Sequence, residues 1–326
     1  MNISFRILSV ALLAALLWSC GESPRNLSRA QVEELARIPD AYPGLAYINM
    51  QQLRESPLFP TVRDSLDVAL HGGTGYRDLV DHTGLDPVRD TDALYLAFHL
   101  QEGPGERGFL VVATGSFDPE RLAAYAREKA HDRPVEEGVY RDVTLFYPGG
   151  DGDEAAFAAV DAGHLIAGDR ISVEAWIDRF RDGGENAGER LDALGAMAFP
   201  NGMWLRMDVA ETVAHRLPML PEALGLGTTV LAGVHQMSIS ADLLEGLHMR
   251  GEGRFADDEQ AQLFHDALKG MFAAARLSMS NDREMVDLLR QIDVRQDAAS
   301  VSMEVDYSAD AVRRLMERGR MARHQF

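Results

Sequence analysis

Cysteine is almost missing: the 326 residues hold one, Cys20. No disulfide can form within the chain, and no multi-thiolate zinc site can be built. The apolar run Ile7 to Trp18, interrupted only by Ser9, falls short of the roughly 20 residues that cross a bilayer as a helix. Its length is that of an export signal. Catalytic signatures are missing too, since none of the ten histidines stands in a His-Glu-x-x-His zinc helix and the Gly-x-Ser-x-Gly nucleophile turn does not occur. Basic charge is in short supply, 32 residues against 51 acidic ones for a net charge of −19, and such a body repels phosphate backbones. Nucleic acid is therefore excluded as a partner, and no catalytic residue, cofactor site or metal site is expected.

The single cysteine has a telling position. Arg6 is the only charge before it, the short apolar run follows, and Leu17, Trp18, Ser19 and Cys20 stand at the junction with polar sequence. This order resembles the lipobox of bacterial lipoproteins, in which the cysteine is acylated and becomes the mature N-terminus. The resemblance implies lipidation at Cys20 and a membrane partner reached through that anchor. Gly21 is not the aspartate that holds some of these lipoproteins at the inner membrane, so it further implies an outer-membrane address facing the periplasm. Each buried acyl CH2 contributes about 0.8 kcal/mol, so several chains are needed for stable attachment.

Past a tether at residues 20–28, Ser28 and Gln31 form a capping box for a short helix that Pro39 ends. The first half then reads as strand Leu45 to Met50, a helix after Ser56-Pro57, and strands Ala93 to Leu100 and Gly108 to Thr114. A helix opens at Asp118-Pro119, and strands Val139 to Tyr147, Ala155 to Val160 and His164 to Gly168 follow, with a hairpin turn at Asp161. A further helix, capped near Ser172, carries Trp176 and Phe180 inward. In the second half Gly202 to Leu205, followed by a helical stretch, and then His235 to Ser240 and Leu244 to Phe255 read as strands. Asp257 and Gln260 cap a helix with the apolar stripe Phe264, Leu268, Met271 and Phe272. A short helix spans Arg283 to Arg290, a hairpin turns at Asp297-Ala298 into the alternation Val301, Met303, Val305 and Tyr307, and Ser308 caps a final helix.

The landmarks repeat. Asp118 and Asp257 lie 139 residues apart, Asp161 and Asp297 lie 136 apart, and Ser172 and Ser308 lie 136 apart again. The expected fold class is therefore α+β, with two related α+β halves, antiparallel or mixed sheets, and helices packed on one face. The expected organisation is a signal at 1–19, the tether at 20–28, a first half at 29–183, a Gly-rich seam at 184–202 and a second half at 203–326. A lipobox followed by such halves, with segments like LAYINMQQLRESPL, resembles duplicated α+β lipoproteins of bacterial envelopes. Those motifs are structural and imply no active site.

Three stretches invite chemistry. His71 to Gly75, HGGTG, is like the glycine loop that serves an esterase oxyanion, but without the nucleophile turn it reads as a flexible link. Gly149 to Glu154 gathers three carboxylates without the spacing of a calcium loop and reads as a turn. Arg313, Arg314, Arg318, Arg320 and Arg323 make a basic tail, which suits a helix C-terminus. Twelve of the 14 methionines lie between Met197 and Met321, where thioethers fill core gaps or adapt to an apolar ligand. The functional expectation is a non-enzymatic envelope lipoprotein with a binding or structural role. The alternatives are a carrier or chaperone for an apolar ligand lodged against the Met-rich half, or a periplasmic hydrolase built on a carboxylate pair.

Overall fold

The computed structural model describes residues 27–60, 63, 74–99, 108–129, 135–148, 155–184, 188–209 and 233–323. Cys20, His71 to Gly73 and Gly149 to Glu154 lie outside them. The described strands form one antiparallel sheet of twelve, in the order β11-β12-β10-β9-β8-β1-β2-β3-β7-β6-β5-β4. In chain order they are β1 (Gly44–Asn49), β2 (Thr91–Phe98), β3 (Phe109–Gly115), β4 (Val135–Tyr140), β5 (Val143–Pro148), β6 (Ala155–Asp161), β7 (His164–Asp169), β8 (Met203–Asp208), β9 (Val234–Asp242), β10 (Gly246–Phe255), β11 (Asp293–Asp297) and β12 (Ser300–Ser308). The described helices are α1 (Arg29–Arg37), α2 (Met50–Glu55), α3 (Thr74–Thr83), α4 (Pro87–Asp90), α5 (Pro119–Lys129), α6 (Arg170–Asp182), α7 (Gly188–Gly195), α8 (Asp258–Ser278), α9 (Arg283–Arg290) and α10 (Ala309–Arg323).

The α+β class holds, and the two halves meet inside the sheet. β1 pairs antiparallel with β8, placing Tyr47 opposite Trp204 with ring centroids 5.7 Å apart. Outward from that pair, β2-β3-β7-β6 on one side answer β9-β10-β12-β11 on the other. The hairpin β4-β5 extends the first half alone. Within the expected seam at 184–202, α7 sends Leu194, fully buried, into the same core as Leu35 of α1. Arg190 of α7 ties the two helices further, donating from Nη2 to the carbonyls of Leu35 at 2.6 Å and Ile38 at 3.0 Å.

Alternating side chains define two faces of the sheet. On the front, Tyr47, Tyr95, Val112, Ile166 and Leu145 pack with Leu35, Val173, Trp176 and Ile177 from α1 and α6. On the back of the second half, Val294, Val301 and Met303 meet α8, while Val305 and Tyr307 meet α9 and α10. Helices of the second half thus keep to one face, and those of the first half use both. Strand length supplies the reason. β7 has six residues and β12 has nine, and an odd difference reverses the face toward which the chain leaves the strand. α6 therefore goes to the front and α10 to the back, although they are topological equivalents.

Most local signals are met. Ser28 closes its capping box with Gln31, Asp257 accepts from the amide of Gln260 at 2.8 Å, and Ser308 accepts from that of Ala311. Three expectations change. Asp169, not Ser172, caps α6 by accepting from the Ser172 amide at 2.9 Å, so the two final helices start 139 residues apart. Met50 opens α2 instead of ending the strand, because the Asn49 side chain caps that helix. The run read as one strand over Val139 to Tyr147 is the hairpin β4-β5. Its turn residues Arg141 and Asp142 sit at φ 46° and 64°. Those angles normally call for Asn-Gly, and without a glycine the turn carries no sequence signal.

Candidate ligand cavity

A cavity of about 710 Å3 lies on the back of the first half, between α5 and the sheet. Val111 and Ala113 of β3, Leu165 and Ala167 of β7, Phe157 and Ala159 of β6 and Phe146 of β5 make its floor. Leu122, Ala123 and Ala126 of α5 make its roof, with Leu79 of α3 and Leu85 to one side. The volume falls within the range of about 300–1,000 Å3 typical of sites for small molecules.

The reason for the space appears on comparing the halves. α8 occupies the position in the second half that α5 occupies in the first. It has 21 residues against 11, and it drives Phe264, Leu268, Met271 and Phe272 toward the back of the sheet. Phe264 lies 5.1 Å from Phe255, ring to ring, and that side closes. α5 brings alanines over a floor that is itself rich in alanine, so neither layer reaches the other. A void of this kind forfeits dispersion contacts on both walls unless an apolar guest supplies them.

Charged groups gather at the rim. Asp78 of α3 accepts from the Tyr125 hydroxyl at 3.0 Å and pairs with Lys129. The Lys129 hydrogen bond, assisted by that from Tyr125, holds its carboxyl below the usual carboxylate range. His82 stands 3.2 Å from Asp78 and 3.7 Å from Glu128, with its ring 5.7 Å from that of Tyr125. Arg127 makes a two-pronged bond to Glu137 of β4 at 2.8 and 2.6 Å, and its guanidinium lies 5.8 Å from the Phe146 ring. These pairs tie α5 to α3 on one side and to the edge strand on the other. The wall is apolar, and its border is polar and self-paired.

Met207, Met237, Met271 and Met303 are spent in packing under α8, and Met203, Met249 and Met316 in packing with α2, α9 and α10. Arg314 and Arg318 of the basic tail pair with Asp282 and Glu284 at the start of α9, and Arg313 with Asp310. Their charge is used within the fold. Sequence reasoning missed the floor alanines Ala113, Ala159 and Ala167; only Ala159 carried a signal, the run AAFAAV at Ala155 to Val160, small residues where a strand favours branched or aromatic ones. No group of three or more potential metal ligands occurs among the described residues, and none of their helices is long and apolar enough to cross a membrane.

No family model matches the chain, and no curated protein matches it in sequence. Solved structures resemble it in fold. Crystal form I of TP0453 superposes with a TM-score of 0.51 at 9% identity, over 90% of this chain and 96% of that one. Crystal form IV of TP0453 gives a TM-score of 0.49 at 10% identity, over 92% and 97%. At such identities the likeness to form I concerns the fold alone, and it extends over nearly the whole of both chains.

Proposed function

We propose that the protein is a non-enzymatic envelope lipoprotein, anchored through Cys20, that holds an apolar small molecule or acyl chain between α5 and the back of the first-half sheet. The cavity of about 710 Å3 carries this reading, because its floor and roof offer carbon to a guest and its charges are confined to the rim. Filling it would remove apolar surface of both guest and wall from water, at about 25 cal/mol per Å2. The pairs Arg127–Glu137 and Lys129–Asp78 would keep α5 in place over the guest.

Two measurements test the reading. Titration with an apolar fluorescent probe should show saturable binding that a bulky substitution on the floor abolishes, and unsaturable binding, or binding indifferent to that substitution, would leave a purely structural role. For the anchor, Cys20→Ser should move the protein from the membrane fraction to soluble or unprocessed material. An unchanged fraction and mass would exclude lipidation.

A further inference from the structure

His164, at the first position of β7, stands on the front face where α1, the β6–β7 turn and α6 converge. Its Nε2 lies 3.1 Å from Glu34 Oε1 of α1, and its Nδ1 lies 2.8 Å from Asp161 Oδ1 of the turn. α6 presents two rings to it, Phe180 edge-on at 5.0 Å and Trp176 at 5.8 Å. Across the strand pair stands Thr114 of β3. Arg37 pairs with Glu34 from the same helix and lies 4.8 Å over the Phe180 ring. Glu34 is only 6% exposed, and its Oε2 has no hydrogen-bond partner among the described residues.

A neutral imidazole has one N–H and one lone pair. Here both ring nitrogens face carboxylate oxygens, so only the doubly protonated ring can donate to both. Once it loses a proton, a lone pair must confront either Asp161, which has water, or Glu34, which has almost none. The geometry points to His164 as a pH-operated clamp on α1: the imidazolium locks Glu34 and with it the helix, and deprotonation releases it. Burial of the ring works to lower its pKa, and the bonds and attraction of Glu34 and Asp161 outweigh burial, so the value stands above the ordinary 6.5. The sign follows from linkage. A raised folded pKa gives stability that is complete below 6.5 and is lost as the pH rises through the folded value. α1 is held tightly under mildly acid conditions and loosens toward alkaline ones, while Arg190 keeps its grip on the C-terminal carbonyls.

The test is hydrogen–deuterium exchange of the full chain between about pH 5.5 and 8.5, corrected for intrinsic exchange, following peptides from α1 and, as internal control, from α8. Protection of α1 should fall across that span, with a midpoint above pH 6.5, while that of α8 stays level. His164→Gln should flatten the α1 profile. Asp161→Asn, at an exposed turn position, leaves the core untouched and should move the midpoint to lower pH, which keeps the test decisive where the histidine variant does not fold. A level α1 profile in the unaltered protein, a pH dependence that survives His164→Gln, or a midpoint unmoved by Asp161→Asn would each overturn the clamp. So would an NMR titration placing the His164 pKa below 6.5.

Discussion

Ala167→Leu distinguishes an open cavity from a closed core by the sign of its effect. Ala167 lies at the centre of the cavity floor, between Val111 of β3 and Phe157 of β6. The exchange adds three carbons facing α5. In open space they remove apolar surface from water at about 0.8 kcal/mol per carbon, and with partial burial the unliganded protein gains about 1–2 kcal/mol. In a floor already packed against α5 the same carbons would force strain and cost about 1–3 kcal/mol. Urea unfolding reads the difference as a higher or lower midpoint at unchanged slope. The same variant should lose the saturable binding of an apolar probe, since the added side chain takes the guest's place. A lowered midpoint would refute the open cavity, and retained probe binding at full affinity would refute its role as the site.

Other substitutions probe the frame. Trp176, stacked on Phe180 at 5.0 Å, is the largest side chain that is completely buried, and Trp176→Ala should cost about 3–5 kcal/mol in the same urea assay. Arg190→Ala strips donors from the last carbonyls of α1 and should cost about 1.5–3 kcal/mol, with loss of exchange protection confined to α1 and α7. Burial raises the Tyr47 hydroxyl pKa to about 12 and raises that of Tyr95 as well. Stability from this pair is complete below the ordinary value of 10 and is lost as the pH climbs through the folded values, so ionisation of these two rings, read from their assigned NMR signals, should appear together with unfolding. Reversible ionisation of Tyr47 and Tyr95 themselves near pH 10 in the folded protein would show that these hydroxyls are not buried.

Signals that act within a few residues were legible in the sequence. The capping box at Ser28, the caps at Asp257 and Ser308, the turn at Asp297-Ala298 and the alternation along β12 all rest on bonds or contacts that a short segment makes with itself. Failures had local causes of their own. Asp169 and Ser172 are both good caps, and only the point where β7 ends selects between them. Arg141-Asp142 turns a hairpin without the glycine that would announce it. Methionine abundance points first to core filling and second to an adaptable surface, and the structure places these residues in packing.

Composition and periodicity by themselves determined an acidic α+β chain of repeated plan with a single sulfhydryl near its start. Tertiary structure alone decided that the copies share one sheet through β1 and β8, that α6 and α10 part to opposite faces, and that the hollow lies under α5. Pairing β1 with β8 joins segments far apart in sequence, an odd change in strand length alters no residue's preference, and a cavity is a difference between summed volumes on two layers. None of these is a property of a short stretch of chain. The clamp at His164 is of the same kind, since Glu34 lies 130 residues from the imidazole it faces.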